Sequence, residues 1–246
     1  MIGPAEIAAL AAIAFFGALI FGITGFGAAL ITIPLATHFV PLPFALALFA
    51  LGDLAMAFSV GLENPRNAVR SEWTRLVPMI LAGTALGVTL LVNLPRQAGL
   101  LLLGLFVLSF ALYTLVRRGT GRTVSKAWAW VAGLAGGITS TVFGAGGPPY
   151  AIYLSQRGLT KEQFRATMGF ATMTSISLRV VAFLITGLLL HLDVWTAALA
   201  VVPAAFIGIA AARRAFAWIS REALMKAVSL MLLASGASLV VRALTQ

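Results

Sequence analysis

The sequence predicts an all-α, polytopic membrane protein of two inverted five-segment repeats with broken or re-entrant helices, and three observations predict it. First, 61% of the 246 residues are hydrophobic, only 10% are charged, and the mean hydropathy is +1.02. A soluble domain carries about 25% charged residues and could not cover its surface with so few. Second, the chain repeats itself along its length. Third, equivalent loops of the two copies carry opposite charge patterns. Continuous apolar runs such as 76–92 and 100–116 exclude a β-barrel, whose strands alternate apolar and polar residues over segments of about 10 residues.

Apolar segments lie at 5–22, 27–40, 44–61, 73–93, 97–116, 127–142, 145–156, 164–188, 193–212 and 221–243. About 20 residues cross the hydrocarbon at 1.5 Å per residue. Segments 27–40, 127–142 and 145–156 are too short, and 5–22 is borderline. The short segments are also where the backbone is interrupted, by Gly22-Ile23-Thr24-Gly25-Phe26-Gly27 in the first half and by Gly137 through Pro149 in the second. Glycine and proline there cannot continue a regular helix without cost. Irregular backbone at membrane depth is tolerated only where protein buries it or a watery cavity solvates it. Each pair of short segments is therefore expected to form a re-entrant hairpin or two tilted crossings. Both give the same loop polarity; hairpins meeting near the middle are the preferred reading.

Gly22-Ile23-Thr24 recurs as Gly137-Ile138-Thr139, and Phe26-Gly27 recurs as Phe143-Gly144 with two extra residues. Val77-Pro78 matches Val202-Pro203, Gly83 matches Gly208, Arg96 matches Arg221 and Val116-Arg117 matches Val241-Arg242, all at one offset of 125 residues. The repeats are placed at 1–121 and 122–246, together one membrane domain. Fourteen of the 17 basic residues fall in or beside four loops: Arg66, Arg70 and Arg75; Arg117, Arg118, Arg122 and Lys126; Arg157, Lys161 and Arg165; Arg213, Arg214, Arg221 and Lys226. The excess of Lys and Arg on the cytoplasmic side places these loops inside. Loops 38–43 and 188–193 hold no Lys or Arg and 94–96 holds only Arg96, which places them outside. The 62–72 loop is basic while its counterpart 188–193 is not; 94–96 is poor in charge while its counterpart 213–221 is basic. Equivalent loops thus face opposite sides, the mark of inverted repeats.

The same residues exclude several function classes. There is no cysteine, hence no disulfide or thiolate chemistry. His38 and His191 are far apart and read as solvated, so no metal and no cofactor are expected. The net charge of +10 is accounted for by cytoplasmic loops, and no nucleic-acid partner is expected. The start, MIGPAE, has no basic n-region, so no cleaved signal peptide is expected. No GxxxxGK[ST] motif supplies direct ATP coupling. An enzyme would need a nucleophile–base pair, a metal cluster or paired carboxylates, and Asp53 is the only acid placed deep in a segment. The expected setting is the cytoplasmic (inner) membrane, with the lipid bilayer as a partner; the oligomeric state is left open.

At Gly22-Ile23-Thr24-Gly25-Phe26-Gly27-Ala28, and at Gly136-Gly137-Ile138 followed by Phe143-Gly144-Ala145-Gly146-Gly147-Pro148, the chain resembles the sulfite exporter TauE/SafE family, also called the toluene sulfonate uptake permease family. The likeness extends over essentially the whole chain. It implies a secondary transporter of sulfite, sulfonates or another small sulfur-containing anion, in either direction; an anion channel on the same fold is the alternative.

Amide groups at broken helix ends can bind anions, aided by the helix dipole, and glycine lets a ligand approach the backbone. The candidate substrate-binding residues are accordingly Gly22, Thr24, Gly25, Phe26, Gly27, Gly137, Thr139, Ser140, Gly144, Gly146 and Gly147, with Thr141 a further hydroxyl. Close helix packing by small residues accounts for the same glycines without a ligand. Arg179 is the one basic residue near the middle of a segment, and an ionisable residue at that depth is by default a functional one. Its guanidinium can hold a sulfonate by forked hydrogen bonds; a structural ion pair is the alternative, with Asp53 as partner or coupling group. Thr167, Thr172, Thr174, Ser175 and Ser177 form a polar stripe beside it that either lines a pore or bonds back to its own helix. Tyr150 and Tyr153 are expected near the same cavity. Trp73, Trp128, Trp130, Trp195 and Trp218 read as interfacial anchors.

Overall fold

The computed structural model describes residues 3–24, 27–116, 123–215 and 221–245. Among them ten α-helices follow the ten apolar segments: α1 (Pro4–Thr24), α2 (Ala28–Ala36), α3 (Leu42–Gly61), α4 (Arg70–Asn93), α5 (Arg96–Val116), α6 (Trp128–Phe143), α7 (Gly147–Leu154), α8 (Lys161–Ile185), α9 (Leu192–Ala215) and α10 (Arg221–Thr245). A single 3-10 turn, Pro65–Asn67, joins α3 to α4, and no strand occurs among the described residues. Six helices, α1, α3, α4, α5, α8 and α9, are long and apolar enough to cross a membrane. The chain is a multi-pass membrane protein. With 9 and 8 residues, α2 and α7 reach only about 12–14 Å at 1.5 Å per residue.

Local chemistry sets the breaks. Gly27 has φ +92° and leads into α2. Gly144 has φ +72° and ends α6, with its own N–H and that of Ala145 both donating to the Thr139 carbonyl. Both positions need the left-handed backbone that glycine adopts at least cost. Pro148 and Pro149 lie in the first turn of α7, where a missing N–H breaks no helical bond. α8 starts sharply because Thr160 and Gln163 form a reciprocal capping box.

Small residues set the packing. α4 and α6 run parallel in close contact: a Cβ on Gly133 would lie 2.7 Å from the Leu76 carbonyl, and one on Gly137 would lie 2.5 Å from the Ile80 carbonyl and 2.9 Å from Gly83 Cα. Further along, one on Gly87 would lie 2.8 Å from Thr141 Cβ. α1 and α9 repeat the arrangement, with Gly208 against Phe15 and Ala18 and Gly22 against Ala212 and Ile209. The first helix of each half thus packs on the fourth helix of the other, which interlocks the halves. α3 runs antiparallel to α8, with Gly61 on Gly169 and Asp53 on Arg179. α5 runs antiparallel to α10, with Gly104 near Val240 and Gly236 near Leu108.

The α6–α7 pair folds back on itself. The Val124 N–H donates to the Gln156 carbonyl at 3.1 Å, and Arg157 donates to the Val124 carbonyl. The residues before α6 and after α7 therefore lie together, while residues 145–147 of the tip are buried. α2 likewise returns along α1, and its end is tied to α10 by Arg242 donating to the Thr37 carbonyl at 2.6 Å and by the 3.1 Å contact of His38 Nε2 with Ser238 Oγ. Loops 62–72 and 157–165 meet at one end through the Arg165–Glu63 pair at 2.9 Å. At the other end, Pro41, Pro43, Leu188, His191 and Asp193 line a common surface cavity. Of the basic loops, 117–122 and 216–220 lie outside the described residues.

Candidate functional site

The two backbone breaks line one cavity. Gly27, Ala28 and Ala29 come from the first half; Ser140 and the run Gly144 to Pro148 come from the second. Asp53 of α3, Tyr150 of α7, and Thr172, Ser175 and Ile176 of α8 complete it, with Phe21 of α1. The cavity measures about 30 Å³, room for about two waters. Its walls are tight. A Cβ on Gly146 would lie 2.8 Å from the Gly136 carbonyl and 3.2 Å from Ser175 Oγ. A Cβ on Gly136 would lie 2.0 Å from Tyr150 Cε1, and Tyr150, fully buried, donates its hydroxyl to Ser175 at 3.0 Å.

Behind this wall lies the ion pair. Arg179 is 1% exposed, the largest fully buried side chain among the described residues. Its Nη2 donates to Asp53 Oδ2 at 2.8 Å and its Nη1 to the Ser140 carbonyl at 3.0 Å. Its Nε is buried with no hydrogen-bond partner among the described residues. Nη1 would lie 3.2 Å from a Cβ on Gly144, so that glycine also makes room for the guanidinium. Asp53 faces the cavity and Arg179 backs it. The carboxylate and the 140–144 backbone stand between the cation and the open space.

Not every expected residue reaches the site. Gly27, Ser140, Gly144, Gly146, Gly147 and Asp53 line it, and Arg179 touches its wall. Gly22 and Gly137 instead make the α1–α9 and α4–α6 crossings. Thr139 turns its hydroxyl toward the Gly136 carbonyl at 3.4 Å, and Thr141 turns its own to Gly137 at 2.9 Å. Gly25 and Phe26 lie outside the described residues, as does the side chain of Thr24.

The polar stripe of α8 divides. Thr172 and Ser175 face the cavity. Thr167 accepts the Val69 N–H at 2.9 Å and Thr174 accepts the Trp73 indole N–H at 3.0 Å. Trp73 is thus bonded inside the helix bundle, whereas Trp128, Trp130 and Trp195 are about half exposed. Trp218 is outside the described residues.

A second buried cluster sits at the basic end. Glu72, 4% exposed, accepts the Tyr153 hydroxyl, Arg157 Nη2 at 3.1 Å and Arg75 Nη1 at 3.2 Å. The hydrogen bond that Arg157 donates to Glu72 holds its guanidinium above its ordinary pKa. This cluster ties the base of the α6–α7 pair to the start of α4. Asp53 is therefore not the only buried acid, and Tyr153 serves this end of the fold rather than the cavity.

The family model described as Sulfite exporter TauE/SafE matches residues 10–239. No curated protein and no solved structure matches the chain.

Proposed function

The chain belongs to the sulfite exporter TauE/SafE family, and from that premise we propose a secondary transporter that carries sulfite, a small sulfonate or a related sulfur oxyanion across the cytoplasmic membrane. The observation that carries this reading is the convergence of both backbone breaks on one buried cavity, backed by the Arg179–Asp53 pair. Amide groups and hydroxyls supply hydrogen bonds for anion oxygens, and the guanidinium supplies the compensating charge. At about 30 Å³ the cavity has room for little more than water, so it suits a compact anion and must widen to load one. The match to a transporter family favours a carrier over a channel.

The two halves, 1–121 and 122–246, are read as inverted repeats, each with one re-entrant hairpin. Three features support this. Equivalent helices α3 and α8 are antiparallel, as are α5 and α10. The equivalent pairs α4–α6 and α1–α9 are both parallel. The α6–α7 pair brings its outer ends together. Such a plan supports alternating access by rocking one half against the other.

Counterflow of radiolabelled sulfite in proteoliposomes tests the function. Saturable uptake stimulated by unlabelled sulfite on the far side is expected. A sulfite current without exchange would establish a channel, and neither flux nor binding of sulfite, methanesulfonate, taurine or thiosulfate would overturn the sulfur-anion reading.

A further inference from the structure

We propose that Asp53 is a proton-binding site coupled to anion binding, so that one proton enters the cavity with each monoanion. This rests on the anion-site reading above. Asp53 lines the cavity and Arg179 lies directly behind it at 2.8 Å. The carboxylate therefore occupies the position from which an anion would feel the guanidinium. With Asp53 ionised, the pair is neutral and the cavity offers an anion no net charge. A second anion beside an ionised carboxylate in this buried setting is strongly disfavoured, because like charges at close range cannot both persist out of water. Protonation of Asp53 removes that obstacle and uncovers the positive charge of Arg179.

Among the described residues no other group takes this role. α8 turns the neutral Thr172 and Ser175 toward the cavity and holds Arg179 behind Asp53, α7 turns Tyr150 and α6 turns Ser140. α1 and α2 contribute Phe21, Gly27, Ala28 and Ala29. α9 packs on α3 near Gly52 with Ala205, and α5 gives no charged group to the cavity. Tyr150 is already committed to Ser175. The charge balance closes. The empty site holds one cation and one carboxylate; the loaded site holds one cation, one carboxylic acid and one bound monoanion. The proton comes from the same aqueous side as the anion and leaves with it, so the loaded and empty forms carry the same net charge.

The test counts protons. Purified protein is titrated with methanesulfonate, whose charge is fixed, and with sulfite, the protons exchanged by sulfite itself being subtracted, in buffers of different ionisation enthalpy. Close to one proton taken up per anion is expected, with the affinity weakening about tenfold per pH unit where empty Asp53 is ionised. Asp53→Asn abolishes the proton uptake, flattens the pH dependence and binds the anion more tightly than wild type at high pH. Asp53→Glu keeps a titratable group and the proton count, and serves where the amide variant does not fold. Binding by wild type with no proton uptake overturns the coupling and leaves the anion site standing. Failure of both anions to bind overturns the anion site, and the coupling with it.

Discussion

Replacing Arg179 separates its roles most directly. Arg179→Ala leaves Asp53 buried without its counter-charge and leaves the Ser140 carbonyl without a donor. Removing one member of a buried ion pair costs about 3–5 kcal/mol, so a large fall in unfolding midpoint in detergent is expected, with complete loss of sulfite counterflow. Arg179→Ala with Asp53→Ala removes both charges and should recover about 2–3 kcal/mol relative to the sum of the single changes. Stability then returns while transport does not. Arg179→Lys keeps the charge, but one ammonium cannot hold Asp53 and the Ser140 carbonyl in the same forked geometry; it should fold and transport poorly. Recovery of both stability and counterflow by the double variant would refute the reasoning, because the arginine would then be structural alone.

Gly83→Ala and Gly208→Ala each drive a methyl into a backbone carbonyl, of Leu134 and of Phe15 respectively. Each should cost about 1–3 kcal/mol in thermal or denaturant unfolding. Gly158→Ala has nothing within 4 Å and only its φ of +67° against it, so it should cost about 1–2 kcal/mol from backbone strain. Glu72→Gln weakens the charge-assisted bonds from Arg157 and Arg75 at about 1.5–3 kcal/mol, and a cysteine at Gln156 should then label faster. The native chain has no cysteine, so single cysteines report topology cleanly. Those replacing Asn64 and Lys126 should label from one face and those replacing Pro41 and His191 from the other; any other grouping ends the inverted-repeat reading.

The helices and their breaks were legible because apolar runs and left-handed glycines both leave local marks. The function of individual glycines was not. Gly137 and Gly144 look alike in sequence, yet one packs against α4 and the other shapes the cavity. The separating signal is spacing: Gly83 and Gly87 on α4 and Gly133 and Gly137 on α6 are both pairs four residues apart, as close helix crossings require. Gly144, Gly146 and Gly147 follow no such period. Glu72 was missed for a different reason. It opens a helix at a basic loop, where an acid is ordinarily solvated, and its partner Arg157 arrives from 85 residues away. Arg179 was found because its depth left no other reading than a buried partner.

The place of the ion pair in the proposed symmetry gives the coupling its physical basis. In an inverted duplication, equivalent residues meet only on the symmetry axis. On the proposed inverted-repeat reading α3 and α8 are equivalent; they run antiparallel, and the offset of 125 residues carries Asp53 to Leu178, the neighbour of Arg179. The axis of that proposed symmetry would pass within about one residue of the pair. Identical halves would set like against like there, and two buried acids or two buried cations would repel. The diverged halves supply one of each, so the axis carries attraction where perfect symmetry would carry repulsion. Alternating access exchanges the conformations of the two halves, which hides groups on one side and exposes those on the other. A group on the axis borders the cavity in both states. A carboxylate placed there can take its proton from whichever side the cavity faces and release it to the other without itself crossing the membrane, which is the property that a proton-coupled carrier requires of its titrating residue.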